Sequence, residues 1–261
     1  MNILERIAAD KLREVALKKQ VTPEGELRQH ALFTRPTKSL KGSLERLPYG
    51  IIAEHKRRSP SRAVINQGIA LPEVVSGYSA AGAGGISVLT DGLYFGGSLE
   101  DLQMARAATD LPLLRKEFIL DTYQITEARA YGADAILLIA AMLDPGHLAD
   151  LAQSARAQDL EVLVEVHDRE ELEAVRDCGA DLFGVNNRNL KTFEVDLDTS
   201  RSLAGAIPDG ALKVSESGLG RPEEIRELRQ LGYQGFLMGE SFMKTPDPGA
   251  ALVELIKSLH A

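Results

Sequence analysis

Residues 159–217, DLEVLVEVHDREELEAVRDCGADLFGVNNRNLKTFEVDLDTSRSLAGAIPDGALKVSES, decide the fold. Within them EVLVEVHD (161–168), LFGVNNRN (182–189) and ALKVSES (211–217) are short, β-rich apolar runs that end in polar residues. Each is separated from the next by enough chain for one helix, the spacing of parallel β/α units rather than of hairpins. Working outward, the alternation extends through GIIAEHK (50–56), GISVLTD (85–91), LPLLRKEF (111–118) and AILLIAAM (135–142) upstream and GFLMGES (235–241) downstream, eight runs in all. Turns such as AAGAGGIS, AYGADAI, DCGADLF and QLGYQGF end a helix and start a strand between them. Eight units predict an α/β fold of the (β/α)8 type, a TIM barrel, in preference to an open doubly wound sheet. The barrel is expected over 49–261 and an N-terminal helical extension over 1–48, together one domain, since no linker-like segment intervenes.

A chain of 261 residues has room for such a barrel, and a composition of 44% hydrophobic residues with no Trp suits a core of Ile, Val, Leu and Ala. The formal net charge of −8 opposes binding to nucleic acid or to anionic membranes. Any anionic ligand must then be met by local charge. Cys178 is the only cysteine, in the turn DCGADLF, and is expected to be a buried structural thiol. With no disulfide, membrane span or signal-peptide layout, the chain reads as cytoplasmic, and the lack of a long exposed apolar stripe as monomeric.

In the extension, Ile3, Ile7, Leu12, Val15 and Leu17 form an amphipathic pattern in NILERIAADKLREVALKKQ. These residues alone favour simple packing on the barrel over a cap on its mouth.

Function in a barrel belongs to the C-terminal ends of the strands, so polar residues that end a run on the inward parity are the candidates. Ile52, Glu54 and Lys56 share a face; so do Leu114 and Lys116, Leu163 and Glu165, Gly184, Asn186 and Arg188, and Val214 and Glu216. Five strands thus aim charged or amide groups at one volume, where neighbouring charges shift pKa values. A purely structural ion-pair network is the bland alternative, but burying one costs desolvation and stabilises little. A phosphate site is expected in the loops after the seventh and eighth strands. SESGLGRPEE supplies Ser217, Gly218 and Gly220 before a helix beginning near Pro222, MGESFMK supplies Gly239, and Ser59 and Arg188 could add a hydroxyl and a charge. The loop KRRSPSR, with Arg57, Arg58 and Arg62, could hold an anion or simply be solvated. His55 has outward parity, and His167, although on the parity of Glu165, lies one step further out; neither is favoured. His30, His147 and His260 lack ligand partners, so no metal site is expected.

The runs IIAEHKRRSPS, SVLTDGLYFGGSLEDL, LLRKEFILDTYQITEARAYGADAILLI, GVNNRNL and VSESGL resemble, in order and spacing, the indole-3-glycerol phosphate synthase family across nearly the whole chain. The resemblance implies cofactor-free ring closure of a phosphorylated small molecule, 1-(2-carboxyphenylamino)-1-deoxyribulose 5-phosphate, with loss of carbon dioxide and water. It implies that the N-terminal segment lies over the barrel mouth. It assigns Lys116 as general acid, Glu165 as acid/base partner in dehydration and Lys56 as the partner of the substrate carboxylate, supported by Glu54, Asn186 and Glu216. Ser59, Arg188, Ser217, Gly218, Gly239 and Glu240 match its phosphate-binding positions. Parity and position suggest Ile86, Phe118, Leu137 and Leu190 as the wall for the aromatic ring. Two departures, His55 and RKEF in place of the commoner RKDF, lie beside catalytic positions. A sibling phosphate-binding isomerase barrel would need an acid/base pair of a Cys and an Asp near the first and middle strands, whereas strand one here ends in Glu54 and Lys56; a non-catalytic sensor would be marked by loss of Lys116 or Glu165.

Overall fold

The computed structural model describes residues 3–59, 64–66, 68–189 and 192–261. Eight parallel strands close into a barrel in chain order. They are β1 (Gly50–His55), β2 (Gly85–Leu89), β3 (Leu113–Lys116), β4 (Ala135–Ile139), β5 (Glu161–Val166), β6 (Leu182–Asn186), β7 (Leu212–Glu216) and β8 (Gly235–Met238). Three helices precede them: α1 (Ile3–Val21), α2 (Glu24–Leu27) and α3 (Leu40–Glu45). Between and after the strands come α4 (Leu71–Ala81), α5 (Leu99–Ala108), α6 (Thr122–Ala130), α7 (Pro145–Arg156), α8 (Arg169–Val175), α9 (Asp198–Leu203), α10 (Pro222–Gln230), α11 (Glu240–Met243) and α12 (Pro248–His260). A 3-10 turn, Ala140–Met142, follows β4.

Strand side chains alternate, so the sheet serves two cores at once. Ile51, Val88, Ile136, Val164, Val185 and Phe236 pack outward beneath the helices. Ile52, Leu114, Leu137, Leu163, Val214 and Leu237 fill the barrel. With both faces buried, each strand reads as a nearly unbroken apolar run. Register then decides individual residues. Glu54 pairs with Ser87, which puts Ala53 beside Ile86 and sends Ile86 to the outer core. Ile86 is therefore not part of the barrel mouth, contrary to the expectation from its run. Cys178 is buried in the outer core, as expected.

The N-terminal end of the barrel is plugged by α3, whose Leu40 and Leu44 belong to the inner core. Glycine makes the close approach possible: a Cβ on Gly50 would come within 2.8 Å of Leu44, and one on Gly84 within 2.9 Å. The plug leaves the opposite end as the open one.

Across that open end lies α1. Ile3, Leu4 and Ile7 line the same cavity as Lys116 and Glu165, while Val15 packs with Leu27, Tyr123 and Ala130. The helix caps the mouth instead of merely packing on the wall, as the family resemblance implies and the bare sequence pattern does not. Leu12 and Leu17, part of the expected apolar stripe, face solvent. Their place on the buried face is taken by Lys11, whose ammonium lies 2.9 Å from Asp91, 3.1 Å from Glu117 and 2.7 Å from Glu14. Burial opposes its charge, yet these carboxylates overcome that and hold its pKa above the ordinary lysine value. Lys18 adds a contact at 3.1 Å to Glu127, which itself pairs with the buried Arg115 at 2.6 Å. The cap is thus fastened by charge to the loops after β2 and β3 and to α6. No helix among the described residues is long and apolar enough to cross a membrane.

Candidate active site

Glu54, Lys116, Glu165, Asn186 and Glu216 project from the ends of β1, β3, β5, β6 and β7 into one cavity of about 210 Å³, and Lys56 reaches it from just beyond β1. Inward parity places them there. Below each lies an inward residue two positions earlier: Ile52, Leu114, Leu163 and Val214 are apolar and belong to the inner core, and Gly184 is the exception. A side chain at Gly184 would collide with the Glu216 carboxylate, so the missing Cβ creates the space that Glu216 occupies.

Lys116 is the hub. Its Nζ donates to Glu216 Oε2 in a very short contact and to Glu165 Oε2 at 3.2 Å. Burial works against the ammonium, but Glu216, Glu165 and Glu54 together hold its proton more firmly than in an ordinary lysine. Lys56 Nζ lies 2.7 Å from Glu54 Oε1, and Ser87 Oγ donates to Glu54 Oε2 at 3.3 Å. Burial would raise the Glu54 pKa; Lys56 and Lys116 outweigh it and keep the carboxyl below its usual range.

The two carboxylates on Lys116 differ in their other partners. Glu165 has Lys116 on Oε2 and, on Oε1, the Asn186 amide at 3.0 Å and His167 Nε2 at 3.3 Å. Burial favours its neutral form, but Lys116, His167 and Asn186 prevail and keep it ionised. Glu216 has Lys116 alone and a buried Oε1 without a hydrogen-bond partner. Burial, reinforced by Glu165 and Glu54 and only partly offset by Lys116, pushes its pKa up to about 7. One buried carboxyl thus stays an anion while its neighbour holds a proton near neutrality, the separation expected of groups with different roles.

The Glu216 pKa rises from 4.5 in the unfolded chain to about 7 when folded, so its contribution to stability is full below 4.5 and is lost as pH rises through 7. Glu216→Gln, which cannot ionise, should gain in urea midpoint over the parent above pH 7 and lose that advantage in acid. An advantage that is the same at every pH would mean that Glu216 is ionised throughout.

The rim of the cavity includes Ser59, Arg188, Ser217, Gly218, Gly239 and Glu240, all six of the expected phosphate residues. Ser217 and Gly218 both adopt positive φ, 66° and 76°, turning the chain sharply between β7 and α10. A Cβ on Gly239 would stand 2.7 Å from Glu54 Cβ, so this residue too must be glycine for the backbone to pass. Arg188 donates to the Phe193 carbonyl at 3.1 Å and lies 3.8 Å from the Glu240 carboxylate, which is also paired with Lys244 at 2.6 Å. Arg57 is tied bidentately to Asp101, one bond measuring 2.8 Å, and Arg58 donates to the Gly92 and Leu93 carbonyls. Arg57 thus braces the chain after β1 against α5, and Arg58 braces it against the loop after β2. Arg62 lies outside the described residues.

Phe118 and Leu137 line the cavity as expected, joined by Phe95, whose ring centroid is 5.9 Å from that of Phe118. Leu190 lies outside the described residues. His55 is buried on the outer side of β1, where desolvation and Arg57 push its pKa down to about 4 and leave it neutral. Among the described residues no three His, Cys, Asp or Glu side chains are grouped to hold a metal ion. Sequence reasoning missed the α1 residues Ile3 and Leu4 as cavity lining, the Lys11 clamp, Phe95 and the contact of His167 with Glu165. The one available signal for the clamp was a lysine spaced four residues from both Ile7 and Val15 on the buried face of α1.

A plugged barrel with lysine and glutamate side chains converging at its capped mouth defines a (β/α)8-barrel enzyme with an acid–base site. The indole-3-glycerol phosphate synthase family model matches residues 4–255. An indole-3-glycerol phosphate synthase of Bacteroides thetaiotaomicron is 46% identical over 259 residues, covering 99% of both chains. One from Laribacter hongkongensis is 44% identical over 259 residues, covering 97% of this chain and 98% of that one. The chain belongs to the indole-3-glycerol phosphate synthase family. Solved structures more distant in sequence share the fold: thiamine phosphate pyrophosphorylase from Pyrococcus furiosus aligns with a TM-score of 0.61 at 18% identity, over 85% of this chain and 98% of its own. A tryptophan synthase alpha-subunit from the same organism aligns with a TM-score of 0.58 at 14% identity, over 81% of this chain and 97% of its own.

Proposed function

We propose that this chain closes the indole ring in tryptophan biosynthesis, converting 1-(2-carboxyphenylamino)-1-deoxyribulose 5-phosphate to indole-3-glycerol phosphate, carbon dioxide and water. The observation that carries this reading is Lys116, an ammonium held among three carboxylates at the bottom of an apolar-walled cavity, in a chain of this family. The electron-rich ring carbon bearing the carboxylate attacks the ketone carbon, and the carbonyl electrons pass to oxygen. Lys116 gives that oxygen its proton. The alkoxide forming there is far more basic than an amine, so even a firmly held ammonium proton transfers.

The positive charge left on the ring and anilino nitrogen is offset by the ionised carboxylate of Glu54. Lys56 meets the substrate carboxylate until carbon dioxide departs and restores aromaticity. Dehydration then requires a proton to reach the leaving hydroxyl and another to leave the adjacent ring carbon. Glu165, kept ionised by Lys116, Asn186 and the adjacent His167, accepts the latter, with Asn186 fixing its orientation.

Ser59, Gly218, Gly239 and the backbone at Ser217 and Glu240, with Arg188, hold the phosphate, and Phe118, Leu137 and the α1 residues Ile3, Leu4 and Ile7 enclose the ring. On this reading residues 1–48 and 49–261 work as one domain, since α1 completes the site, and the chain acts in the cytoplasm as a monomer.

Gly218→Val tests the phosphate corner. The branched side chain would meet Val195 at a residue whose φ is 76°, forcing the turn to move. KM should rise by about tenfold or more, with a smaller effect on kcat, because phosphate binding energy is lost in ground and transition states alike. Steady-state kinetics that leave KM unchanged would place the phosphate elsewhere.

A further inference from the structure

His167 is buried at the mouth of the barrel between two carboxylates. Its Nε2 is 3.3 Å from Glu165 Oε1, and its Nδ1 is 3.0 Å from Glu171 Oε2, an oxygen that also accepts from the His167 backbone N–H at 2.8 Å. Glu171 therefore fixes both the backbone and the ring of this residue. The parity of β5 brings His167 to the same side as Glu165, and the first turn of α8 returns Glu171 over it. A buried imidazole with a carboxylate oxygen within 3.3 Å of each ring nitrogen is favoured as the cation, because its positive charge then faces an anion on both sides. The Nε2 contact is ionic, since it falls short of good hydrogen-bond alignment.

Among the described residues the neighbouring elements present small or apolar side chains, an amide, the Lys116 ammonium and, from β7, the Glu216 carboxylate, which acts on Glu165. The 3-10 turn Ala140–Met142, packed on β5 and α8, carries only Ala and Met side chains. From β6 the group facing Glu165 is the Asn186 amide, and from β3 it is Lys116 on the far oxygen. Burial works to lower the pKa of His167, yet Glu165 and Glu171 raise it to about 10.

We propose that His167, braced by Glu171, is a positioning residue that holds Glu165 in its ionised, correctly turned form while Lys116 is engaged with substrate. The proposal rests on the role given to Glu165 above. Glu165 has two cations, one on each oxygen. When Lys116 turns to the ketone oxygen, Oε2 loses its partner and becomes the oxygen free to take a proton. The imidazolium on Oε1 then remains to oppose premature protonation from solvent and to keep Oε2 aimed at the ring. A wholly structural His–Glu pair would tie β5 to α8 without altering the proton affinity of Glu165.

The test compares kcat–pH profiles of the parent, His167→Gln, Glu171→Gln and Glu165→Gln. Removing the imidazolium raises the proton affinity of Glu165, so the acidic limb of kcat should move to higher pH by about one unit in His167→Gln, a loss of about tenfold on that limb. Glu171→Gln should shift it in the same direction by less, and KM should stay near the parent value in both. With 23% of its side chain exposed, Glu171 can be neutralised without leaving a fully buried charge unpaired, so this variant decides the matter even if His167→Gln folds poorly. Unmoved limbs with an inactive Glu165→Gln would overturn the positioning role alone. A Glu165→Gln of parental activity would overturn the assignment on which it rests.

Discussion

Lys116→Ala should lower kcat for indole formation by about a thousandfold, the scale on which removal of a positioned acid and of oxyanion stabilisation is felt. Among the described residues the cavity's other cations, Lys56 and Arg188, are engaged elsewhere. Lys56, the second ammonium in the cavity, is paired with Glu54 at 2.7 Å, two strands away from β3. The loss should fall on kcat, while a phosphate-bearing product analogue should bind nearly as before, because Ser59, Gly218, Gly239 and Arg188 belong to the rim and not to the Lys116 cluster. The variant has a means of tolerating its own defect. Without the ammonium, Glu165 and Glu216 lose their shared partner, and protonation of one of them relieves the repulsion. Rapid-mix turnover and equilibrium binding separate the two expectations, and near-parental turnover would remove Lys116 from the chemistry.

Glu165→Gln should cost about a hundredfold to ten-thousandfold in kcat, the range for losing a general acid or base. Glutamine keeps the shape and can still accept from Asn186 or Lys116, so packing is preserved while proton transfer is not. This distinguishes it from a cavity-forming substitution. Because ring closure precedes dehydration, the deficit should fall on the later step, and a carboxyl-free intermediate should accumulate in single turnover. Mass analysis of quenched reactions reads this directly. Carbon dioxide release that remains fast while indole appears slowly is the expected pattern, and equal slowing of both would move Glu165 to the first step.

Much of this site was legible because barrel strands obey a period of two. Glu54, Lys116, Glu165, Asn186 and Glu216 each end a run on the inward parity, and their convergence follows from closure of the sheet. The same rule failed for Ile86. In GISVLTD the inward positions hold Gly85, Ser87 and Leu89, while Ile86 and Val88 face the helices. Where both faces of a strand are buried, apolar character carries no direction, and only pairing with the neighbouring strand supplies it. The cap was hidden for a different reason. The apolar pattern of α1 includes the exposed Leu12 and Leu17, and its docking depends on Lys11 meeting Asp91 and Glu117, partners about 80 to 106 positions along the chain. Glu117 is the residue by which RKEF departs from RKDF, so that departure bears on the cap: its carboxylate reaches Lys11 at 3.1 Å and accepts from Thr90 at 2.9 Å. His167 was passed over because parity ranks a residue by depth in the barrel and is blind to a helix folding back over the rim. The contact with Glu165 arises from Glu171, four residues further on, turning the imidazole inward.

The most direct measurement is to mix purified protein with 1-(2-carboxyphenylamino)-1-deoxyribulose 5-phosphate, with no added metal or cofactor, and follow indole absorbance and fluorescence. Steady indole formation by the parent that vanishes in Lys116→Ala is the result expected if Lys116 is the acid of a ring-closing lyase. Tight substrate binding without product in the parent would contradict it and leave a barrel that recognises the phosphate compound without transforming it.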